Sequence, residues 1–169
     1  MSIECTFITK TQSHTLDLED YLGDFGSFVD ALYQEFELDA PVDINTFFKI
    51  EDTDYFNSMD DVEVFLQITF PYGYLPKMVL AWVYHTNNQF QNFKAFNEKY
   101  MGKFEYPADF CKEYIARETE IQTMPTCVVK CIDYEMMWDQ YLSDHFYALK
   151  VEDDSIDSVT MYIYAIFKN

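Results

Sequence analysis

The sequence contains few of the residue types from which catalytic and cofactor-binding sites are usually built. Among its 169 residues there are three histidines, four glycines and four cysteines. The histidines lack the spacing of an HExxH or other metal site, and no GxSxG, P-loop or GxGxxG pattern occurs. Carboxylates are so abundant that a chance pair resembling a general acid and base carries no information. We therefore predict a protein that is not an enzyme and that uses no metal or cofactor.

Long apolar runs and paired cysteines are also missing. The longest apolar run, around Met78–Tyr84, is far shorter than the roughly 20 residues that cross a membrane as a helix. Met1 is not followed by the basic and apolar segments of a secretory signal. Cys127 and Cys131 have the closest cysteine spacing, CxxxC, and we interpret them as small buried hydrophobic residues. These features predict a cytoplasmic protein with reduced thiols and no membrane contact.

Basic residues are scarce, and the acidic residues that outnumber them are unevenly distributed. The chain has 30 acidic and 11 basic residues, for a formal net charge of −19. Between Asp17 and Glu63 there are fifteen acids and one base, whereas Val64–Asn97 contains no acid. From Glu98 to Asp157 fourteen acids return, together with six bases. Because self-repulsion at this charge opposes folding, the blockwise distribution favours acids that serve a partner over a merely solvated surface.

Aromatic and apolar residues are plentiful enough to fold this acidic chain. Hydrophobic residues make up 49% of the sequence and aromatic residues 19%, unlike acidic disordered segments, which are poor in aromatics. Alternation predicts a strand over Ile3–Lys10, and helical spacing after a capping box at Ser27 predicts a helix through Phe36. Ser58 and Asp61 repeat the capping pattern before a second helix. We predict an α+β fold of three small units: an α+β unit at 1–58, a helical unit at 59–100 and an α+β unit at 101–169.

Proline, asparagine and aspartate mark further elements. Helices are predicted to start near Pro76, Asn87 or Asn88, Pro107 and Asp133, and strands to span Thr46–Glu51, Phe146–Val151 and Val159–Phe167. The last of these strands is apolar on both faces. It is therefore either packed between two layers or part of a subunit interface.

A folded surface of carboxylates can bind the groove that another protein uses for DNA. B-DNA carries one negative charge per roughly 1.7 Å of its axis. A carboxylate accepts bidentate arginine bonds much as a phosphate does, so a helix with one acidic face, such as Ser27–Glu37, can replace a stretch of backbone. Self-repulsion also favours an elongated shape. These arguments allow DNA mimicry without selecting it over other uses of acidity.

Three segments of the chain are similar, in matching order and spacing, to the sequence patterns of one protein family. Tyr100–Ile115 (YMGKFEYPADFCKEYI) is similar to the pattern Y-x-G-x-(F/Y)-x-(S/T)-x-x-(D/E)-(F/L)-A-x-(E/D)-(Y/L). Ile132–Asp139 (IDYEMMWD) is similar to YIDYEAxARDL, and Phe47–Asp54 (FFKIEDTD) more loosely to xFxIxDYE. By these segments the chain resembles the ArdA antirestriction proteins. The matching positions in the second half of the chain are Gly102, Phe104, Asp109, Phe110, Glu113, Asp133, Tyr134, Glu135 and Asp139.

The resemblance implies an elongated protein of three units that mimics bent DNA and blocks type I restriction–modification enzymes of a bacterial host. Such proteins act on behalf of mobile genetic elements, and the resemblance implies a homodimer formed through the C-terminal unit and no direct nucleic-acid binding. We assign to the partner, a type I enzyme or another DNA-binding defence protein, the acids Asp30, Glu35, Glu37, Glu51, Asp52, Asp54, Asp60, Asp61, Glu63, Asp109, Glu113, Asp133, Glu135 and Asp139. We assign to the dimer interface Tyr162, Tyr164 and Ile166. Gly102 and the aromatic positions are expected to support the fold.

The sequence departs from the family in its middle unit. The acid-free stretch Val64–Asn97 carries only Lys77 and Lys94 as charged residues, whereas the family's middle unit is usually acidic. This departure leaves open a different target. It also leaves open a different class of protein, an acidic adaptor or immunity protein that binds through its aromatic middle unit, with Trp82 and Phe90 as contact residues.

Overall fold

The computed structural model describes residues 3–51, 55–69, 74–87, 90, 93–153 and 161–169. It confirms a mixed α+β fold and divides the chain into two compact units, Met1–Phe93 and Lys94–Asn169. The finer division into three units stays a prediction.

Among its described residues, the first unit combines a three-stranded antiparallel sheet with α-helices and a short 3-10 helix, Leu18–Tyr21. The strands are β1 (Glu4–Ile8), β2 (Ser13–Asp17) and β3 (Lys49–Glu51), in the order β2–β1–β3. The helices are α1 (Phe25–Glu35), α2 (Ile44–Phe47), α3 (Met59–Thr69) and α4 (Pro76–His85). Alternation along β1 buries Cys5 and Phe7, as predicted. Phe7 meets Phe28 of α1 edge to face, with ring centroids 5.4 Å apart, so this pair joins sheet to helix.

Aspartates begin three of these helices, although not always where predicted. Asp24, and not Ser27, caps α1, because its carboxylate accepts hydrogen bonds from the Ser27 backbone N–H at 2.9 Å and hydroxyl at 2.7 Å. The predicted capping pair of α3 is confirmed: Asp61 accepts from the Ser58 N–H at 3.1 Å, and the Ser58 hydroxyl oxygen accepts from the Asp61 N–H at 3.3 Å. Asp43 caps α2, so the strand predicted over Thr46–Glu51 is wrong in its first half.

Two further predicted helix starts lie in the first unit, at Pro76 and at Asn87 or Asn88. The helix from Pro76 is confirmed, with the proline in its first turn. Asn87 lies just past the end of α4, because its φ is 60° and its N–H donates to the Tyr84 carbonyl. A short amide side chain is one of the few that tolerate this left-handed conformation. The alternative start, Asn88, lies outside the described residues.

The second unit is a three-stranded sheet with helices on both faces. It contains α5 (Phe93–Lys99), β4 (Tyr100–Phe104), α6 (Pro107–Glu118), α7 (Thr126–Val129), α8 (Tyr134–Met137), β5 (Phe146–Asp153) and β6 (Met161–Lys168). The strand order is β4–β6–β5, all antiparallel. The starts at Pro107 and Asp133 are confirmed, and Tyr100 belongs to a strand although it continues the helical spacing.

The central position of β6 explains why this strand is apolar on both faces. On one face Phe167 meets Phe96 of α5, with ring centroids 5.2 Å apart. On the other face Ile166 forms a buried cluster with Phe110 of α6 and Phe146 of β5. The strand is therefore packed between two layers over Ala165–Phe167. Its predicted start at Val159 lies outside the described residues.

Gly102 occupies a position in β4 that other residues do not fit. Its φ is +139°, and the register with β6 shifts between Tyr100 and Gly102. A Cβ atom at this position would lie 3.0 Å from the Cε2 atom of the Phe104 ring. Both the backbone and the space therefore require glycine.

We predict that Gly102→Ala lowers the free energy of unfolding by about 1–3 kcal/mol, because the side chain forces a backbone conformation that L-residues avoid. Urea denaturation followed by circular dichroism measures this loss. Gly26→Ala is the control, because Gly26 lies in the first turn of α1 and has an ordinary φ. That change should leave stability unchanged or raise it by about 0.5–1 kcal/mol. Equal losses from the two substitutions would contradict the explanation.

Candidate acidic surface

Negative charge is concentrated in the first unit. Residues 1–93 contain sixteen acids and three bases, a net charge of −13, whereas residues 94–169 contain fourteen acids and eight bases, a net charge of −6. The net negative charge per residue is therefore much larger in the first unit than in the second. The charge of each acid in the folded protein depends on what its carboxylate contacts.

A first group of carboxylates binds the chain's own backbone at the starts of helices. The members are Asp17, Asp24, Asp43, Asp61, Asp109 and Asp133. Such acids satisfy N–H groups that the helix leaves free and interact favourably with the positive end of its dipole. Hydrogen bonds from Ser27 hold the pKa of Asp24 below its ordinary value near 3.8. This cap is therefore fully present above that pH and is lost as the pH falls through the lowered pKa.

Asp61 is the clearest case of an acid that serves the fold. Asp61 is 7% exposed, and its carboxylate accepts hydrogen bonds from the N–H groups of Asn57 at 2.8 Å and Ser58 at 3.1 Å. The assignment of Asp61 to the partner is therefore wrong. Asp109 and Asp133 are exposed, but each accepts from a backbone N–H of its own chain, Asp109 from Tyr106 and Asp133 from Met136.

A second group of carboxylates has a side-chain partner. Glu35 lies 3.4 Å from the Nδ1 atom of His14, an ion pair only when the histidine is protonated. Glu113 pairs with Arg117 at 3.2 Å, one helical turn away on α6. Two others accept from side-chain amides, Glu63 from Gln67 and Asp60 from Asn45. Surface pairs of this kind contribute at most about 1 kcal/mol, so they do not explain why the chain carries the acids.

A third group is exposed and has no hydrogen bond or ion pair within the described part of the chain. In the first unit it comprises Asp20, Asp30, Glu37, Asp39 and Glu51. Asp30, Glu37 and Glu51 are among the predicted partner-binding residues, and no signal in the sequence separates them from the capping acids. In the second unit Glu135 belongs to the same group, and Asp139 is exposed. Two other predicted acids, Asp52 and Asp54, lie outside the described residues.

Glu37 is held at the end of α1 in a conformation that glutamate rarely adopts. Its φ is +50°, its N–H donates to the Gln34 carbonyl at 3.2 Å, and the Leu38 N–H donates to the Tyr33 carbonyl at 2.9 Å. This hydrogen-bond pattern ends many helices, and its left-handed residue is usually glycine. The last turn of α1 also contains no base, so Glu35 and Glu37 face the negative end of the helix dipole. Both features lower stability.

Asp30 of α1 and Glu37, just past the end of that helix, expose their carboxylates. Phe28 and Leu32 are buried, whereas Asp30 and Glu37 are exposed. Seven residues separate these two acids, or about 10 Å along a helix axis. One DNA strand carries a phosphate roughly every 3.4 Å along the axis. These two carboxylates are therefore spaced much more widely than the phosphates of one DNA strand. Mimicry of DNA would need further carboxylates from the rest of the first unit.

The residues predicted for the dimer interface are mostly inside the protein's own core. Ile166 is fully buried against Phe110 and Phe146, and Tyr164 packs against the same cluster. Only Tyr162 of the three is exposed, at 46%. The assignment of Ile166 to a subunit interface is therefore wrong. Helix α6 covers this face of the sheet, so the apolar side chains of β6 on that face are already buried within the protein.

The contact residues predicted for the adaptor alternative are also buried. Trp82 is 2% exposed and Phe90 is 1% exposed, so neither can contact a partner directly. The acid-free middle stretch is apolar because α3 and α4 form a core, with Phe90 stacked on Phe56. Exposed apolar side chains occur instead in the second unit: no residue of Gln122–His145 is buried, and Met124, Val128, Met136 and Tyr141 are about half exposed or more.

The first unit also contains a groove on its surface. An open groove of about 470 Å³ in the first unit is lined by Thr9, Lys10, Thr11, Gln12, Leu38, Thr46 and Phe47. Lys10 is its one ionisable side chain, and the Thr9 hydroxyl is already engaged with Gln12 of the same turn. No group of three or more histidine, cysteine, aspartate or glutamate side chains suited to a metal occurs in the part of the chain that the structure covers. Cys127 and Cys131 are free and exposed, which corrects the expectation that they are buried.

We predict that Asp61→Ala lowers the free energy of unfolding by about 1–2 kcal/mol, because two N–H groups at the start of α3, those of Asn57 and Ser58, lose their acceptor. Asp30→Ala is the matched control, since its carboxylate is exposed and makes no such bond, and its effect should stay within about 0.5 kcal/mol. Chemical denaturation of the two variants at neutral pH measures the difference. If both variants have the stability of the parent protein, Asp61 does not anchor α3.

Within the described ranges, no helix is long and apolar enough to cross a membrane. Comparison with known proteins gives no matching family model, no matching curated protein and no matching solved structure.

Proposed function

We propose that this protein is a non-enzymatic DNA mimic that occupies the DNA-binding groove of a type I restriction–modification enzyme, or of a related DNA-handling defence complex, and inhibits it. The proposal assigns the mimicry to the first unit. It includes a homodimer and an elongated arrangement of three small units, both implied by the resemblance to the ArdA proteins.

The observation that carries the proposal is the group of exposed, unpartnered carboxylates in a unit of net charge −13. Asp20, Asp30, Glu37 and Asp39 lie on α1 or beside it, and Glu51 lies on β3. None of their carboxylates accepts a hydrogen bond or forms an ion pair with another described residue. Carboxylates in this state accept arginine and lysine donors from a partner without first breaking an internal bond.

The end of α1 supports the same conclusion. A glutamate at a glycine-like position, on the negative end of a helix dipole, breaks two local rules of helix stability. Positions that break such rules without a compensating contact are often functional sites. Glu37 is therefore the carboxylate that we expect to contribute most to binding.

The dimer in this proposal needs a surface other than the one predicted. Ile166 and Tyr164 serve the core of the second unit, so of the three assigned residues Tyr162 alone is available. The Tyr162 hydroxyl lies 3.5 Å from Glu152, and the amino group of Lys150 lies 4.1 Å from the centre of its ring.

An adaptor or immunity protein remains the second candidate, with its surface moved to the second unit. The exposed apolar side chains of Gln122–His145 are the observation that favours it. Apolar contacts do not weaken with ionic strength, whereas contacts between carboxylates and a basic groove do. Salt dependence therefore separates the two candidates.

The first test is displacement of a fluorescent duplex from a type I methyltransferase at several salt concentrations. Mimicry predicts displacement that is strong at about 50 mM salt and much weaker at about 200 mM, because the interaction rests on charge. Unlabelled duplex of the same length serves as the reference at each concentration. Absence of displacement at low salt overturns the proposal for this enzyme class, and binding that withstands salt but fails in Val128→Glu favours the adaptor.

The second test assigns the effect to α1. Neutralising Asp30, Glu35 and Glu37 together (to Asn, Gln and Gln) should weaken displacement by about tenfold or more, the effect of losing one charge-assisted contact. The control neutralises Glu105, Glu118 and Glu120, three exposed acids of the second unit, and so changes net charge equally. If the two triple variants are weakened equally, net charge alone acts and α1 is not a contact surface.

The third test concerns Glu37, where one substitution should raise the stability of the protein and weaken its displacement of DNA. Glu37→Gly should raise the free energy of unfolding by about 0.5–1 kcal/mol, because glycine adopts φ +50° without strain. The same substitution should weaken displacement, since the carboxylate is gone. Glu37→Asp keeps the charge and should retain displacement. A Glu37→Gly variant that is more stable and fully active would remove Glu37 from the proposed surface.

A further inference from the structure

Strand β2 is an outer strand of the first sheet, because it pairs with β1 and with no other described strand. The Thr9 N–H donates to the Gln12 carbonyl just before the strand, and the Leu18 N–H donates to the Ile3 carbonyl just after it, each at 2.9 Å. Along an antiparallel pair, residues that exchange hydrogen bonds alternate with residues that do not. The two observed bonds therefore determine which residues of β2 turn their backbone toward β1.

Three alternate residues of β2 direct their backbone groups away from the sheet: Ser13, Thr15 and Asp17. The bonded positions belong to His14 and Leu16, so the other three lie opposite β1 without exchanging hydrogen bonds with it. No described residue accepts from their N–H groups, and Ser13 and Thr15 are exposed. We call these three N–H groups, with the carbonyls of Ser13 and Thr15, the β2 edge.

The β2 edge lacks the features that usually keep an outer strand from pairing with another chain. Such strands are commonly protected by lysine, by proline or by a bulge. The strand (SHTLD) contains neither residue, and its pairing with β1 has no shift in register. Each of the other outer strands of the two sheets contains a lysine, Lys49 in β3, Lys103 in β4 and Lys150 in β5. Among the described strands, β2 is therefore the one best suited to bind a further strand.

Acidic side chains lie beside the β2 edge on both faces of the sheet. On the face toward α1, a carboxylate oxygen of Glu35 lies 3.4 Å from the Nδ1 atom of His14. The register places Glu4 of β1 and Glu51 of β3 on the opposite face. Lys49 is the one base among the residues of these three strands. A segment that adds to this edge is therefore favoured if it carries positive charge.

We propose that the β2 edge binds an extended, basic segment of another protein by strand addition. In this mode the backbone of the segment bonds to the N–H groups of Ser13, Thr15 and Asp17, and its alternate side chains give specificity. Lysine or arginine at alternate positions then lies on one face, beside the acids of the sheet. A second copy of this chain is disfavoured by repulsion, because its first unit carries a net charge of −13. The proposal does not rest on DNA mimicry, because it requires backbone donors and no copy of a phosphate row.

The test is NMR titration of the ¹⁵N-labelled full-length protein with a capped peptide that alternates threonine and lysine, TKTKTKT. Strand addition predicts that amide chemical shifts change mainly over residues 13–17. At saturating peptide, hydrogen exchange of the Ser13, Thr15 and Asp17 amides should slow by about tenfold or more, because these groups become hydrogen-bonded. Absence of binding, shift changes centred on β4 or β5, or binding without slower exchange at β2 overturns the proposal.

Thr15→Pro removes the central N–H of the β2 edge and leaves the bonds that His14 and Leu16 make to β1. It should weaken binding of the peptide by about tenfold or more. Thr15→Val is the matched control, since it keeps both the N–H and a branched side chain, and it should bind as the parent protein does. Circular dichroism checks that both variants are folded. Equal affinities of the two variants for the peptide would contradict strand addition.

Two control peptides separate strand addition from attraction between charges. The peptide TETETET reverses the charge and should bind at least about tenfold more weakly at low salt, where repulsion is least screened. A version of TKTKTKT with D-lysine keeps the charge but no longer places alternate side chains on opposite faces of a pleated strand. It should not slow exchange at the β2 edge. Equal slowing by the D-lysine peptide overturns the proposal, and this measurement on the parent protein decides the question if Thr15→Pro does not fold.

Discussion

Repulsion among 30 carboxylates, opposed by 11 basic side chains, acts against every contact that brings two parts of this chain together. The fold offsets it with dense aromatic contacts that carry no charge. In the first unit Phe7, Phe28 and Phe36 are buried between the sheet and α1. In the second unit Phe110 and Phe146 meet at a centroid separation of 4.9 Å. Aromatic side chains bury large areas for their number, which suits units of this size.

The same constraint determines which acids the fold can use. A carboxylate at the start of a helix turns its charge into a stabilising contact, and six aspartates lie at such positions, Asp17, Asp24, Asp43, Asp61, Asp109 and Asp133. The exposed acids around α1 receive no such compensation. Glu37 lies at the other end of the helix, where the dipole has the wrong sign for an anion. The acids discussed here are thus of three kinds: those that cap a helix, those with a side-chain partner, and those whose carboxylates have neither role.

Short-range signals made much of the fold predictable. Pro76, Pro107, Asp133 and the Ser58–Asp61 pair mark helix starts correctly, because a cap or a first-turn proline acts within a few residues. Predictions that depended on distant contacts failed. The sequence does not indicate that β6 lies between β4 and β5. The two apolar faces of β6 therefore fit a subunit interface as well as a strand packed between two layers. Capping and partner-binding acids also look alike in sequence, since burial of Asp61 depends on how α3 packs.

The order of strands in the second unit has a consequence for synthesis of the protein. β6 follows β4 and β5 in the chain but separates them in the sheet, so neither earlier strand has a neighbour until β6 has been made. Every pairing between β4 and β6 closes a loop of more than fifty residues, and such distant contacts form slowly. During synthesis on the ribosome, the apolar surface of α6 around Phe110 therefore stays exposed until β6 has been made. In the first unit, by contrast, β1 is followed at once by its neighbour β2, and the sheet is complete by Glu51.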